Sequence, residues 1–314
     1  MRIVVTDPIH EVGLDRLTEA GFTVDMATDF SGSLSEAVST AEVLIVRSGT
    51  TLSADVLDAC PELRLIARAG IGVDNIDVDA ATSAGIQVVN APTGGIDSVT
   101  EHTVAMAYAL IRALPWTDRQ TRRGEWPKRG YRGSELVEHT IGVVGLGRIG
   151  RSVVERANRL GIEVVGYDPF VDEDEIQDLD VRLCPLLDCV KAADILSIHL
   201  PRTTETEGLI DASVLSHLEG GFLINCSRGG IVDEDALVHA LESGDLAGAA
   251  IDVFEDEPIT ADHPLVDCER TLLTPHVAGT SDRAQRTIAT DIADQIIAFS
   301  RGDTVAHPVN SPTG

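Results

Sequence analysis

Residues 141–150 have the sequence Ile-Gly-Val-Val-Gly-Leu-Gly-Arg-Ile-Gly, and this stretch decides the fold. A short apolar run typical of a buried strand leads into the spacing Gly-x-Gly-x-x-Gly, and a helix-forming segment follows. In such a turn Gly145 allows a tight reversal, Gly147 lets the backbone approach a pyrophosphate, and Gly150 lets the helix pack closely on the strand. The alternative is an ordinary strand–helix turn, but the context on both sides favours a dinucleotide-binding fingerprint.

An acidic residue at the end of the next predicted strand strengthens this interpretation. Asp168 follows the apolar segment 163–167 and lies 18 residues after Gly150. A carboxylate at this spacing binds the adenosine ribose hydroxyls and repels a 2′-phosphate. The expected cofactor is therefore NAD rather than NADP.

Strand and helix patterns alternate along the whole chain, which indicates parallel sheets covered by helices. Before the fingerprint, strands are predicted at 2–6, 23–26, 43–46, 65–68 and 87–89, with helices such as 12–20 and 54–59 between them. After 141–145 and 163–167, strands are predicted at 195–199, 222–225, 249–252 and 272–274. The pattern predicts an α/β protein with two doubly wound parallel sheets.

The fingerprint begins in mid-chain, after a complete α/β segment. We therefore predict an NAD-binding Rossmann domain at 98–283, inserted in a substrate domain formed by 1–97 and 284–314. Ser98 and Glu101 have the form of a capping box for a long helix over 98–114. We expect Pro115 to end that helix, a polar segment to cover 117–138, and a last helix to cover 281–300.

Charge and composition exclude several classes of protein. Lysine and arginine number 24 and acidic residues 51, which gives a net charge of −27, and the only lysines are Lys128 and Lys191. Such a surface repels nucleic acids and anionic membranes. It is typical of halophilic proteins, although an ordinary acidic protein is the alternative. The chain has no membrane-length apolar run, no signal-peptide pattern at its start and no metal-binding cysteine spacing, so we expect a cytoplasmic protein without a metal.

Three segments that follow predicted strands carry the residues suited to chemistry. Arg228 lies in 225–230, Asp252 and Glu257 lie in 252–258, and His276 lies in 274–279. Ligands bind at the carboxyl ends of parallel strands, so these side chains are expected to form one site. Arginine can grip a carboxylate with two hydrogen bonds, histidine can exchange a proton near neutral pH, and an adjacent carboxylate favours the protonated imidazole.

These motifs resemble those of D-isomer-specific 2-hydroxyacid dehydrogenases, and the resemblance covers essentially the whole chain. Its phosphoglycerate dehydrogenase branch fits best. The matching segments are Arg68-Ala-Gly-Ile-Gly-Val-Asp-Asn-Ile-Asp77, Asn90-Ala-Pro92, Trp126-Pro-Lys-Arg129, Gly133-Ser-Glu-Leu136 and Val309-Asn310. The resemblance implies a flavodoxin-like substrate domain. It also leads us to expect a short form without the C-terminal regulatory domain that many members of the branch carry.

The resemblance implies a role for each residue that matches the family pattern. His276 would be the general acid–base, Glu257 its partner, and Arg228 the group that binds the substrate carboxylate and polarises the 2-oxygen. Backbone amides near Gly70, Ile71 and Gly72 would help to hold the carboxylate, and Arg47 would face a substrate phosphate. The implied cofactor contacts are Gly145, Gly147, Arg148, Ile149, Gly150, Asp168, Leu200, Cys226, Ser227, Arg228, Asp252, His276, Ala278 and Gly279.

Several alternatives stay open at this point. Glu255 and Asp256 adjoin Glu257, Asp252 could be a capping residue, and Arg47 could form a surface salt bridge. The histidines His102, His199 and His263 are expected to be structural or peripheral.

The main functional hypothesis is NAD-dependent oxidation of D-3-phosphoglycerate to 3-phosphohydroxypyruvate, a step of serine biosynthesis. The alternatives are a reductase of hydroxypyruvate, glyoxylate or another 2-oxo acid, and an NAD-sensing binding protein like the corepressors that share this fold. A homodimer through the Rossmann domain is expected, with contacts from 117–138.

Overall fold

A computed structural model describes residues 1–29 and 34–312 of the chain, which divide into two compact units. The first unit comprises Met1–Gly95 and Thr280–Gly314, and the second comprises Ile96–Gly279. The boundaries expected from the sequence, 98 and 283, differ from these by two and four residues. Substrate binding by the first unit stays a prediction.

The first unit alternates strands and helices from its first residues. Its elements in this part of the chain are β1 (Arg2–Val5), α1 (Glu11–Glu19), β2 (Thr23–Met26), α2 (Leu34–Val38), β3 (Val43–Val46), α3 (Ala54–Asp58), β4 (Leu65–Arg68), α4 (Val78–Ser83) and β5 (Gln87–Asn90). The strands pair in parallel in the order β2-β1-β3-β4-β5, which is the flavodoxin-like order. Every residue of β3 is buried, as expected for the centre of a sheet covered on both faces.

The second unit contains the fingerprint. Its elements are α5 (Ile96–Ile111), α6 (Leu114–Arg122), β6 (Thr140–Val144), α7 (Arg148–Arg159), β7 (Glu163–Tyr167), β8 (Arg182–Leu183), α8 (Leu186–Ala192), β9 (Ile195–Ile198), α9 (Ala212–Leu215), β10 (Phe222–Asn225), α10 (Glu234–Ser243), β11 (Gly248–Ile251), α11 (Pro264–Asp267) and β12 (Thr271–Leu273). The strands pair in parallel in the order β12-β11-β10-β9-β6-β7-β8.

The chain switches direction across this sheet between β6 and β9. Such a switch point opens a crevice at the carboxyl ends of the strands, where dinucleotides bind. The fingerprint follows β6, so it lies at this crevice. The prediction of two doubly wound parallel sheets, one of them of the Rossmann type, is confirmed.

The chain returns to the first unit in its last helix, α12 (Asp282–Arg301). Ser281 caps this helix by accepting a hydrogen bond from the Ala284 amide. The buried residues Ile288, Ile292 and Ile296 join the apolar core beneath the first sheet. Helices α1 and α12 pack so closely that a Cβ on Gly13 would lie 2.7 Å from the Ala289 carbonyl oxygen.

The structure corrects the predicted long helix. Helix α5 ends at Ile111, the left-handed Ala113 (φ 44°) turns the chain, and α6 begins at Leu114. Pro115 therefore lies in the first turn of a new helix, where its missing N–H is no loss. Ser98 does not cap α5; its hydroxyl lies in the first turn and donates to the Ala278 carbonyl at 2.6 Å.

Two further local features differ from the sequence prediction. The two-residue strand β8 is too short to show a hydrophobic period, so the sequence analysis missed it. No helix or strand was predicted in the acidic segment 172–180, but Glu173–Ile176 form a 3-10 turn that buries Ile176. Within the described residues, no helix combines the length and apolar character that a bilayer crossing needs.

Candidate active site

The fingerprint turn after β6 is built by close backbone packing. A Cβ on Gly145 (φ +96°) would lie 2.6 Å from the His199 carbonyl oxygen, and one on Gly150 would lie 1.9 Å from the Gly145 carbonyl oxygen. A Cβ on Gly147, by contrast, would meet nothing within 4 Å. The space beside the Gly147 backbone, directly before the first amides of α7, is therefore open. Such a position fits a pyrophosphate.

Asp168, the predicted ribose-binding carboxylate, lies directly after β7 and contacts the fingerprint turn. Its Oδ2 accepts from the Leu146 amide at 2.8 Å and its Oδ1 accepts from the Phe170 amide at 2.9 Å. These bonds fix the carboxylate beside the fingerprint turn, and each oxygen keeps a second lone pair for a hydroxyl donor. Arg151, which the sequence analysis did not identify, holds the same turn because its Nε donates to the Leu146 carbonyl at 2.7 Å.

A buried amide shapes the turn that carries Arg228. Oδ1 of Asn225, at the end of β10, accepts from the Ser227 amide at 3.0 Å and from its hydroxyl at 2.8 Å. Nδ2 of Asn225 donates to the Arg228 carbonyl at 3.0 Å. The oxygen and the nitrogen of this amide thus both bond to residues 227–228. These bonds fix the backbone from which the Arg228 side chain extends.

Gly229 brings the turn after β10 against the loop after β11. A Cβ at this position would lie 1.7 Å from the Phe254 carbonyl oxygen and 2.6 Å from the Glu255 amide nitrogen. Only glycine permits this approach, and it places Arg228 where its charge reaches Glu257.

Glu257 is the acidic residue of this loop that meets a histidine. Its Oε2 lies 2.7 Å from Nδ1 of His276, and its Oε1 accepts from the Phe254 amide at 3.0 Å. Burial alone would raise the pKa of Glu257. The hydrogen bonds from His276 and Phe254, together with the positive charges of His276 and Arg228, instead hold this pKa below its ordinary value. Glu257, rather than Glu255 or Asp256, is therefore the partner of His276, and it is ionised at neutral pH.

The backbone of His276 adopts a left-handed conformation, with φ 54°. A non-glycine residue there is uncommon and persists when surrounding contacts fix it. The His276 amide donates to the Asp252 carbonyl at 2.8 Å, and the next two amides, of Val277 and Ala278, donate to the Asp252 carboxylate at 2.9 and 2.8 Å. Asp252 is completely buried, so it shapes the His276 loop from within the protein.

The remaining predicted cofactor residues lie at carboxyl ends of strands in the second unit. Leu200 follows β9, and Ala278 and Gly279 follow the His276 turn. Cys226 is buried with its sulfur 3.4 Å from that of Met106, and burial with the nearby Asp252 charge raises its pKa to about 12. This thiol therefore packs as an apolar group. Contacts of these residues with a cofactor stay predictions.

The predicted substrate residues all lie in the first unit, after the neighbouring strands β3 and β4. Arg47 follows β3, its amide donates to Asp7 at 2.7 Å, and it forms no ion pair within residues 1–29 and 34–312. Gly70 follows β4, and a Cβ there would lie 1.5 Å from a guanidinium nitrogen of Arg68. Ile71, which follows Gly70, is held by Asn90, whose Nδ2 donates to the Ile71 carbonyl at 2.6 Å. Substrate contacts of these residues, including Gly72, stay predictions.

Comparison with known proteins agrees with this geometry. The family described as D-isomer specific 2-hydroxyacid dehydrogenase, NAD binding domain, matches residues 104–278. The chain is 39% identical to a D-3-phosphoglycerate dehydrogenase of Archaeoglobus fulgidus and 40% identical to one of Methanocaldococcus jannaschii. These alignments cover 100% and 99% of this chain and 60% of each relative, so the chain spans about 60% of the length of these relatives.

Solved structures show the same likeness. A D-lactate dehydrogenase from Aquifex aeolicus, complexed with NAD and lactic acid, superposes with a TM-score of 0.88 at 29% identity over 100% of both chains. An NADPH-dependent glyoxylate/hydroxypyruvate reductase from Sinorhizobium meliloti, complexed with NADP and malonate, gives a TM-score of 0.85 at 31% identity. That alignment covers 98% of this chain and 96% of the reductase. The chain belongs to the D-isomer-specific 2-hydroxyacid dehydrogenase family, and Ile96–Gly279 contains the NAD-binding domain of that family.

Proposed function

We propose that the protein oxidises D-3-phosphoglycerate to 3-phosphohydroxypyruvate with NAD, a step of serine biosynthesis. The observation that carries this proposal is the His276–Glu257 pair, held beside the Arg228 turn at the carboxyl ends of β10, β11 and β12. An acid–base pair and a guanidinium together suit the oxidation of an alcohol next to a carboxylate. Similarity to phosphoglycerate dehydrogenases supports the choice of substrate.

His276 is the proposed acid–base group. Ionised Glu257 can only accept a hydrogen bond, so Nδ1 of His276 carries the shared proton and Nε2 is the nitrogen that can accept the proton of the C2 hydroxyl. The positive charge that then develops on the imidazole lies next to the Glu257 carboxylate. General acid–base assistance of this kind typically contributes about 10²–10⁴-fold in rate.

Arg228 is the proposed carboxylate-binding group. A guanidinium presents its donors in a planar fork that matches a carboxylate, and the same cation polarises the oxygen at C2. NAD, when bound, supplies the acceptor for the hydride that leaves C2. Asp168 orients the adenosine ribose and disfavours a 2′-phosphate in this proposal.

Arg47 is the proposed contact for the substrate phosphate. It is a cation in a chain of net charge −27, and its guanidinium donates to the Pro8 carbonyl at 3.4 Å rather than to a carboxylate. A surface salt bridge, the alternative role for Arg47, therefore has no partner within residues 1–29 and 34–312.

Steady-state kinetics in molar KCl test this proposal. Oxidation of D-3-phosphoglycerate, D-glycerate and D-lactate, and reduction of hydroxypyruvate and glyoxylate, would be followed by NADH absorbance. We expect the highest kcat/KM with D-3-phosphoglycerate. Arg47→Ala should raise KM for this substrate and leave that for D-glycerate unchanged. His276→Ala should lose turnover while it still binds NADH. A higher kcat/KM for a substrate without phosphate would refute the assignment.

A reductase of hydroxypyruvate or glyoxylate is the second candidate, and a specific likeness favours it. The Sinorhizobium meliloti reductase is 31% identical to this chain and superposes with a TM-score of 0.85. The same panel separates the two, because a reductase would favour hydroxypyruvate or glyoxylate with NADH and would not respond to Arg47→Ala.

We also propose a homodimer formed through the second unit. The side chains of Tyr108, Val137 and Leu160 are each 41–55% exposed around one groove beside α5, and Trp126 is 77% exposed. Such patches mark protein–protein contacts. Sedimentation in molar KCl should give twice the 33.4 kDa of one chain, and a monomer would contradict the proposal.

The five free cysteines suit a reducing compartment, which supports a cytoplasmic location.

A further inference from the structure

A histidine outside the proposed acid–base pair, His102, lies next to Thr274 and Asp252, the residues that hold the His276 loop. His102 lies on α5, and its Nε2 is 3.3 Å from Oγ1 of Thr274 and 3.8 Å from Oδ1 of Asp252. Thr274 in turn donates from Oγ1 to Oδ1 of Asp252 at 2.5 Å. Because the Thr274 hydroxyl donates its only proton to Asp252, it can only accept a hydrogen bond from His102. The bonds therefore run in one direction, from the imidazole through the hydroxyl to the carboxylate.

The carboxylate at the end of this chain is in an unusual position. Asp252 has no exposed surface, and no arginine or lysine pairs with it within 1–29 and 34–312. Its oxygens accept from Thr274, Val277 and Ala278. A buried carboxylate depends on such donors, since each one that is lost removes a hydrogen bond that no solvent can replace. The imidazole of His102 lies near this carboxylate, with its Nε2 3.8 Å from Oδ1 of Asp252.

The backbone of Asp252 also fixes His276. The His276 amide donates to the Asp252 carbonyl at 2.8 Å and to the Thr274 carbonyl at 3.1 Å, while φ of His276 stays at 54°. A left-handed non-glycine residue relaxes when such contacts weaken. A shift of Asp252 or Thr274 is therefore transmitted to the imidazole that meets Glu257.

We propose that His102 is a positioning residue for His276, acting through the hydroxyl of Thr274 and the buried carboxylate of Asp252. This inference rests on the proposed function, because it takes His276 as the acid–base group. His102 itself touches neither His276 nor Glu257 by any hydrogen bond in the described residues. Its effect is on the orientation of the His276 ring and not on the chemistry directly.

Two substitutions at position 102 separate positioning from packing. His102→Leu fills similar volume but cannot donate to Thr274, whereas His102→Gln keeps a side-chain N–H. Misplacement of a catalytic group by about 1 Å can cost about 100-fold in rate. We expect His102→Leu to lower kcat roughly ten- to hundredfold, with the Kd for NADH within twofold of wild type. His102→Gln should restore most of the lost kcat.

His139 offers a matched control. Its side chain is 18% exposed against 24% for His102, and it lies in the same unit. It bonds Ser134 and lies 3.8 Å from Asp194, away from the His276 loop. His139→Leu should change kcat less than twofold. Thr274→Val removes the relay hydroxyl with His102 intact, and the double variant with His102→Leu should lose no more kcat than the worse single variant.

The outcomes are distinct. Wild-type kcat in His102→Leu, or independent losses from His102→Leu and Thr274→Val, would overturn the inference. A similar loss in the Leu and Gln variants would show that ring packing and not hydrogen bonding matters, which also overturns it. If His102→Leu does not fold, Thr274→Val and His102→Gln decide: a normal kcat in Thr274→Val, or a deficient one in the folded Gln variant, overturns it. Failure of the proposed function is separate, because it would appear in the wild type, either as no turnover or as a higher kcat/KM for a substrate without phosphate.

Discussion

Nδ1 of His276 donates to Oε2 of Glu257 across 2.7 Å, and this bond selects the tautomer of the imidazole. The carboxylate has its other oxygen on the Phe254 amide, so it cannot rotate freely toward another donor. A histidine fixed in this way presents Nε2 in one direction only. The position of Glu257 therefore controls the geometry as well as the charge of His276, the proposed acid–base group.

Glu257→Gln should reveal the charge contribution of this pair. The folded pKa of Glu257 lies below its ordinary value of 4.5, so its ionised form stabilises the folded protein above that value. This stabilisation is lost as the pH falls through the lowered folded pKa. The free energy of unfolding should thus be higher for wild type than for Glu257→Gln at neutral pH, and the difference should shrink on acidification.

Chemical denaturation between neutral pH and pH values below the ordinary pKa of Glu257 measures this difference. Glu255→Gln is the control, because Glu255 is exposed and does not meet His276. The rate of reduction at neutral pH should also fall in Glu257→Gln, since positive charge on His276 loses its compensating partner. A difference in unfolding free energy that grows on acidification would contradict the sign of the shift.

Gly229→Ala should cost both stability and turnover. The added Cβ would lie 1.7 Å from the Phe254 carbonyl oxygen, so one of the two loops must move. Overpacking of this kind typically costs about 1–3 kcal/mol, and movement would separate Arg228 from Glu257. Gly220→Ala is a useful comparison because its Cβ would meet nothing within 4 Å and its strain is only conformational, with φ +68°. Equal kcat in Gly229→Ala and wild type would show that the close approach has no functional role.

Much of the fold follows from the sequence because its signals are local. Five strands were predicted with the bounds that the structure has: Thr23–Met26, Val43–Val46, Leu65–Arg68, Glu163–Tyr167 and Phe222–Asn225. Apolar β-branched runs between turn residues produce a strong pattern. The break at Ala113 was missed because no local signal marks a left-handed alanine, and Pro115 is compatible with either the end or the start of a helix.

The three residues proposed to act on the substrate could be identified from the sequence, whereas the residues that support them could not. Arg228, Glu257 and His276 stand out because arginine, acid and histidine follow successive strands. The buried amide of Asn225 and the hydroxyl of Thr274 act on backbone several residues away, through contacts that depend on the tertiary fold. His102 was expected to be structural or peripheral; its contacts could not be predicted because it lies 150 residues or more from the segments it touches, and no sequence spacing records them.

Asp168→Ala should change cofactor choice. The wild-type carboxylate lies beside the fingerprint turn, and its proposed role is to bind the ribose hydroxyls and to repel a 2′-phosphate. We expect the variant to bind NAD more weakly and to discriminate less against NADP, as measured by KM for both cofactors. Because Asp168 also holds the Leu146 and Phe170 amides, Asp168→Asn is the matched variant that keeps an acceptor without the charge. Efficient use of NADP by the wild type would contradict the role given to Asp168.

The net charge of −27 should make the stability of the protein depend on salt. At 0.1 M ionic strength charges interact over about 10 Å, whereas at 1 M the screening length falls to about 3 Å. Mutual repulsion among the carboxylates therefore weakens as KCl rises, and Tm should increase over this range.

Preferential exclusion of salt from the surface also raises Tm, so a charge variant is needed to separate the two effects. Glu173→Gln with Asp178→Asn removes two exposed carboxylates of the acidic segment 172–180, outside the proposed site, and reduces the magnitude of the net charge from −27 to −25. This variant should gain most in Tm at low KCl and least at 1 M, because only the repulsive contribution changes. A wild-type Tm independent of KCl, or a variant whose Tm exceeds that of wild type equally at every concentration, would rule out charge repulsion as the cause.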